Sequence, residues 1–163
     1  MSLRHAVVLR KGEVLTLSCD DRRSRGRASR AEGLRLEKLG VEWWVQEAQR
    51  LGVRRVVLAR NWRKPWGELD LVGLEVNEDP SSGRKFRELV FIEIRSRSLM
   101  AWSDGVDSVA ESAPKRERLK RLVRSYLASE LEAGIQDSLD GVRMEVLSFS
   151  AKAGWSSCPW ELG

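Results

Sequence analysis

Two carboxylates interrupt otherwise apolar segments of this 163-residue chain. Asp70 lies between Leu69 and Leu71, and Glu93 lies in the run Leu89-Val90-Phe91-Ile92-Glu93-Ile94. A carboxylate buried unpaired in such surroundings costs several kcal/mol, so each needs a cation, a hydrogen-bond network or an open sheet end. Strand alternation puts Glu93 and Arg95 on one face and Ile92 and Ile94 on the other. If a hairpin brings Asp70 opposite Glu93, two carboxylates and a cation share one spot. That arrangement suits Mg²⁺ or Mn²⁺, hard cations that take a few carboxylate oxygens and keep waters for a phosphate substrate. Such an ion polarises a phosphoryl oxygen and lowers the pKa of an attacking water. The same residues also describe an ion-pair network at a strand end, and spacing alone leaves both readings open.

The elements that must position these groups follow from periodicity. Leu36, Leu39, Trp43, Trp44, Ala48 and Leu51 recur at helical spacing, which predicts a helix over 34–51 stopped by Gly52. Residues 53–60 read as a strand, 61–67 as a loop with Pro65, and 68–76 and 88–96 as an antiparallel hairpin joined by a long turn. Ser112 and Pro114 mark a helix start, and that helix runs to about Leu131. Leu119, Leu122, Val123, Tyr126 and Leu127 form its buried stripe; Lys115, Arg116, Arg118, Lys120, Arg121 and Arg124 fall on its other face against one acid, Glu117. Residues 142–150 read as a last strand. The order helix, three strands, helix, strand predicts an α/β fold with a mixed sheet flanked by helices.

Flanking segments read differently. Ala6–Leu9 and Val14–Leu17 around Lys11-Gly12 suit a small hairpin, and 19–33 is polar and basic, like a linker. The expected organisation is a basic, partly disordered extension over 1–33, a domain over 34–150, and a tail over 151–163 that patterning does not place.

Composition narrows the chemistry. The one histidine, His5, lies near the terminus, which argues against His-based zinc sites and leaves any Ser-His-Asp triad dependent on that residue. Two cysteines, Cys19 and Cys158, make no metal cluster or disulfide framework and suit a reducing cytoplasm. No apolar run is long enough to span a membrane, and the first ten residues lack the pattern of a signal peptide. The net charge of +5 arises in residues 1–35, which hold nine Lys/Arg against four Asp/Glu, while the remainder balances at twenty of each. That segment is either a solubilising tail or an arm for polyanions.

Trp62 and Trp66 flank Arg63 and Lys64 just before Asp70. Such a loop can stack on bases while binding phosphates, or its rings can simply pack beneath it; packing is the favoured reading for Trp62, and Trp66 is left open. The basic face of the later helix suits either solvation or a nucleic-acid backbone, and six bases against one acid favour the latter.

The blocks Ala59-Arg60-Asn61-Trp62-Arg63 and Gly67-Glu68-Leu69-Asp70-Leu71-Val72 resemble the "RNxR…GEIDLI" signature of the YraN-like family of small bacterial proteins. Leu89 to Arg97 resembles its "LVFVEVKxR" block, Lys115 to Leu127 its "K..RL…YL" helix, and Arg143-Met144-Glu145-Val146 its "RFDV" strand. The resemblance covers about 34–150. It implies the PD-(D/E)XK restriction-endonuclease-like fold, similar to archaeal Holliday-junction resolvases, and a metal-dependent endonuclease acting on branched or single-stranded DNA. Carried over by position, Asp70 and Glu93 would hold Mg²⁺ or Mn²⁺ with the backbone carbonyl of Ile94. Arg95 would stand where the family's fold usually has the lysine that orients or activates water. The family's helix glutamate follows a glycine; here Val41 follows Gly40, and Glu42 comes one residue late. Arg63, Lys64, Trp66, Lys115 and Arg118 would meet the nucleic acid, and the resolvase analogy implies a homodimer with no membrane partner. Because arginine holds its proton, the alternatives are a nuclease-fold protein that binds nucleic acid without cutting it, and a protein-interaction adaptor whose charges form only ion pairs.

Overall fold

The computed structural model describes residues 5–9, 13–17, 19–96, 113–131 and 133–160. Chain contacts divide the protein into two compact units, Met1–Arg35 and Leu36–Gly163. In the first, β1 (His5–Leu9) pairs antiparallel with β2 (Glu13–Leu17), with Val7 opposite Leu15, as the sequence predicts. The predicted turn at Lys11-Gly12 lies outside the described residues.

Helix α1 runs from Cys19 to Leu51. The polar stretch 19–33 is therefore helical, not a linker. It holds no proline, and arginine, alanine and glutamate are good helix formers. A polar composition signals exposure and says little about backbone conformation.

The second unit is built on a five-stranded mixed sheet in the order β3-β4-β5-β6-β7. Strands β3 (Arg54–Lys64), β4 (Gly67–Glu78) and β5 (Lys85–Ser96) form an antiparallel meander. Helix α2 (Ala113–Glu130) and the short α3 (Ala133–Gln136) follow, and β6 (Gly141–Ser150) then lies parallel to β5. The predicted helix start at Ser112 lies outside the described residues, while Pro114 sits in the first turn of α2, where its missing N–H costs nothing.

Two findings extend the sequence reading. The expected loop at 61–67 is mostly strand: β3 continues to Lys64 and pairs Lys64 with Gly67, leaving only Pro65 and Trp66 as a tight turn. The unplaced tail becomes β7 (Gly154–Trp160), an edge strand antiparallel to β6. Pro159 is tolerated there because an edge strand has one unpaired side.

Two apolar clusters sandwich the sheet. Leu119, Leu122, Val123 and Tyr126 of α2 pack on Leu69, Val72, Leu89, Phe91 and Met144. Val41 and Trp44 of α1 pack on Leu71, Val90, Ile92 and Leu147 on the other side. The fully buried Trp44 indole lies so close to β4 that a Cβ on Gly73 would fall 2.3 Å from it. Gly40 likewise lets α1 approach Ile94, 3.1 Å from where its Cβ would stand. This close seating of α1 against β5 brings the middle of the helix, around Glu37 and Gly40, beside the acidic residues of the sheet.

Candidate active site

Leu69 and Leu71 are two residues apart on β4, yet they pack in different clusters on opposite faces of the sheet. Regular alternation would put them on one face, so the strand slips phase at Asp70. Asn61 on β3 adopts a left-handed conformation, with φ of 50°, which asparagine tolerates better than most residues. The β3–β4 ladder passes from Arg60–Leu71 to Trp62–Leu69, and the β4–β5 ladder ends at Leu71–Ile92. Asp70 therefore stands where strands part, one residue short of a ladder pair with Glu93.

The Asp70 carboxylate accepts a hydrogen bond of 2.7 Å at Oδ2 from the backbone N–H of Ile94. Burial and the neighbouring Glu93 push its pKa up to about 7; the Ile94 N–H opposes this, and Glu37 and Glu68 add to it. A buried carboxyl beside other acids holds its proton more tightly than one in water.

Glu93 follows Phe91 on the α2 face of β5, as alternation predicts, with Arg95 beside it. Its Oε1 is 2.8 Å from Lys115 Nζ and 3.5 Å from Arg95 Nη2. Lys115 was expected on the outer, nucleic-acid-facing side of α2, and here the structure corrects the sequence. Lys115 precedes Leu119 by four residues and so continues the buried stripe of Leu119, Leu122 and Tyr126. It reaches inward to Glu93.

The helix acid also differs from expectation. Glu42 is exposed, and its ion-pair partner is Lys38 at 3.9 Å, so the structure does not bring it to Asp70 and Glu93. Glu37 is the α1 acid near the site. It accepts a 2.9 Å hydrogen bond from Asn61 Nδ2 and is close enough to act on Asp70. The sequence did carry the signal: Glu37 lies four and seven residues before Val41 and Trp44, the buried pair of that helix face.

A basic and aromatic surface lies at the β3–β4 turn, which leads into Asp70. Trp66, in the β3–β4 turn, lies half-buried beneath the Arg121 guanidinium, 4.2 Å from the ring centroid, and its buried Nε1 has no hydrogen-bond partner. The aliphatic part of Arg118 lies over Gly67 of the same turn. Lys64 sits 4.7 Å above the ring of Trp62. Trp62 itself packs edge-on against Tyr126 and donates to Glu130 at 3.1 Å, which makes it a packing residue, as favoured above. Arg63 is exposed and pairs with Glu68 at 2.9 Å. Of the expected nucleic-acid residues, Lys64, Trp66 and Arg118 thus adjoin one turn and helix face, joined by Arg121. Lys115 turns away toward Glu93.

Among the described residues, no three His, Cys, Asp or Glu side chains form a ready metal cage. Asp70 and Glu93 offer two carboxylates. That set suits a hard cation that retains its waters and completes its shell with substrate oxygens; it does not suit a structural metal. Also among the described residues, no helix is long and apolar enough to cross a membrane.

Comparison with known proteins finds a match over residues 42–149 to the model of a family described as "Uncharacterised protein family UPF0102". A UPF0102 protein of Psychrobacter sp. strain PRwf-1 is 31% identical over 121 residues, covering 74% of this chain and 72% of that protein. A UPF0102 protein of Mycobacterium sp. strain KMS is 36% identical over 110 residues, covering 65% and 71%. The family match spans β3 to β6 and hence Asp70, Glu93, Arg95 and Lys115; it begins after Glu37.

Proposed function

The chain belongs to the UPF0102 family, the YraN-like family of bacterial proteins, and we propose that it is a metal-dependent endonuclease that hydrolyses phosphodiesters of branched or single-stranded DNA. The observation that carries this reading is Asp70, lodged where β4 parts from its neighbours and beside Glu93, with burial first and the neighbouring acids second pushing its carboxyl pKa up to about 7. Clustered like charges with a displaced proton affinity are what a cation site requires before the cation arrives. Two features support the reading. The order helix, three-strand meander, crossover helix and parallel strand makes a mixed sheet flanked by helices, the architecture expected with the PD-(D/E)XK resemblance. The basic-aromatic surface of Arg118, Arg121 and Trp66 lies at the turn that leads into Asp70, where it would hold phosphates and stack bases.

Asp70 and Glu93 would hold Mg²⁺ or Mn²⁺, with the Ile94 carbonyl as the remaining protein donor that the resemblance implies. Bound there, the cation supplies a polarised phosphoryl oxygen and a more acidic water. The chain's own residues do the rest. The Ile94 N–H fixes one Asp70 oxygen and leaves Oδ1 to coordinate. Arg95 presents a guanidinium whose charge opposes that developing on the phosphate. Arg118 and Arg121 bind the backbone without reading sequence, which suits recognition of DNA shape over base order.

A second reading has its own observation. Lys115 Nζ already occupies Glu93 Oε1 at 2.8 Å, and Arg95 stands where a lysine is expected, so the site suits a protein that binds nucleic acid without cutting it. One experiment separates the two. Wild type and Glu93→Ala are incubated with a four-way junction, a flap and single-stranded DNA in Mg²⁺ or Mn²⁺. Metal-dependent cutting that falls by about 10³-fold in the variant, equivalent to about 4 kcal/mol of transition-state stabilisation, is the expected result. Binding in a gel shift without cutting by the wild type would establish the second reading instead.

A further inference from the structure

We propose that Lys115, from the first turn of α2, takes the part of the strand lysine that this chain lacks at Arg95, acting as a positioning residue for Glu93 and the scissile phosphate; the inference rests on the nuclease reading above.

Four observations carry it. Lys115 Nζ and Arg95 Nη2 converge on the same oxygen, Glu93 Oε1, at 2.8 Å and 3.5 Å, so the helix lysine reaches the place that a strand lysine would serve. Both partners are sheltered: the Glu93 side chain is 14% exposed and that of Lys115 29%. The backbone of Lys115 is firmly seated, because Leu119 and Leu122, on the following turns of its stripe, are buried against the sheet. Finally, α2 also carries Arg118 and Arg121 toward the β3–β4 turn, so a strand held along this helix is delivered to Lys115.

The chemistry of the two cations differs. A guanidinium spreads its donors in one plane and grips an oxygen pair. An ammonium is compact and aims its donors tetrahedrally, so a single Nζ can address Glu93 and a phosphate oxygen at once. Arg95 next to Glu93 cannot do this in the space of one Nζ. The helix lysine restores that geometry without a change of strand sequence.

The test compares wild type, Lys115→Met and the double variant Arg95→Lys/Lys115→Met in the Mn²⁺ cleavage assay, with gel shifts and urea unfolding as controls. Lys115→Met is expected to stay folded and bind DNA, while its cleavage falls about 100-fold, the scale of a lost transition-state donor. Arg95→Lys is expected to recover at least about 10-fold of that loss, because it returns an ammonium to Glu93 from the strand side. A merely structural ion pair would show no such rescue. A second readout needs no cleavage: Mn²⁺ binding, followed by electron paramagnetic resonance, should tighten by about 5-fold in Lys115→Met, since Glu93 loses the nearer of its two cations. Cleavage by Lys115→Met at the wild-type rate, absence of rescue, or unchanged Mn²⁺ affinity would overturn the inference while wild-type cutting stands. A wild type inert on every DNA would overturn the nuclease reading, and the inference with it.

Discussion

Acids meet twice across β4 and β5, and the two meetings are resolved in opposite ways. Glu75 stands directly opposite Glu88 in the ladder, a destabilising pair if left alone. There the sheet supplies guanidinium groups. Arg143 on β6 pairs with Glu75 at 2.8 Å, with Glu145 at 3.0 Å and with Glu88, and Arg55 on β3 pairs with Glu75 at 2.6 Å. Arg55 is itself fixed by a bond to the Trp44 carbonyl and by stacking on the Trp44 ring. At the other meeting Asp70 is buried, receives a backbone N–H and faces further acids, while Lys115 and Arg95 converge on Glu93. The first cluster is complete as built. The second keeps a buried carboxyl among acids, whose raised proton affinity a bound cation would oppose. Both look alike in sequence, as carboxylates within strands; what distinguishes a structural network from a candidate site is the matching of charge around it.

The strongest way to break this comparison is Arg143→Met. Three carboxylates would lose their common partner, and removing one member of a sheltered ion-pair network costs about 3 kcal/mol. Urea unfolding should show that loss as a lower midpoint at unchanged slope, while DNA binding by the folded fraction persists. If Arg143→Met unfolds no more easily than wild type, the network is ornamental and the contrast fails.

Asp70→Asn should act in the opposite direction. The folded-state pKa of Asp70, about 7, lies above its ordinary value of 3.8. An unfolded chain therefore ionises Asp70 first as pH rises, and stability is lost progressively between about pH 4 and 7, with the loss complete above that. Asparagine carries no charge at this position at any pH, so the variant should be clearly more stable than wild type at pH 8 and nearly equal to it at pH 4. Asparagine still accepts the Ile94 N–H, so the backbone contact survives. Mn²⁺ at pH 8 should stabilise the wild type and leave the variant unmoved. Parallel stability–pH curves for the two proteins would show that Asp70 carries no stored repulsion. Stability sacrificed at a site is the usual mark of function.

Sequence patterning reached some of this and missed the rest for identifiable reasons. Asp70 and Glu93 were legible because a charge inside an apolar strand is conspicuous, and α2 because Pro114 and a regular stripe define it. The kink that pulls Asp70 from its ladders was not legible. It depends on Asn61 in a left-handed conformation, which leaves no period in the sequence. The helical character of 19–33 was hidden by its polarity, and β7 by Trp155 and Pro159, which fit an edge strand but announce none. Lys115 was singled out but placed on the outer face, because charge reads as outward-facing, and Glu37 passed unnoticed for want of any signal beyond its spacing from Val41 and Trp44.

The smallest expected effect sharpens the comparison from within the first cluster. Glu88 and Glu75 face each other, but their exposures differ: the Glu88 side chain is 41% exposed, that of Glu75 11%. Water screens the first pair far more than the second. Glu88→Gln leaves Arg143 its bonds to Glu75 and Glu145, still offers it an amide oxygen, and removes one of the two facing negative charges. The loss of the rim ion pair and the relief of repulsion offset each other, so the variant should fall within about 0.5 kcal/mol of wild type in urea unfolding. A cost near that of Arg143→Met would mean that the network has no hierarchy and needs every carboxylate it holds. The contrast with Asp70 would then be one of degree, since both clusters would be poised at the limit of their charge balance.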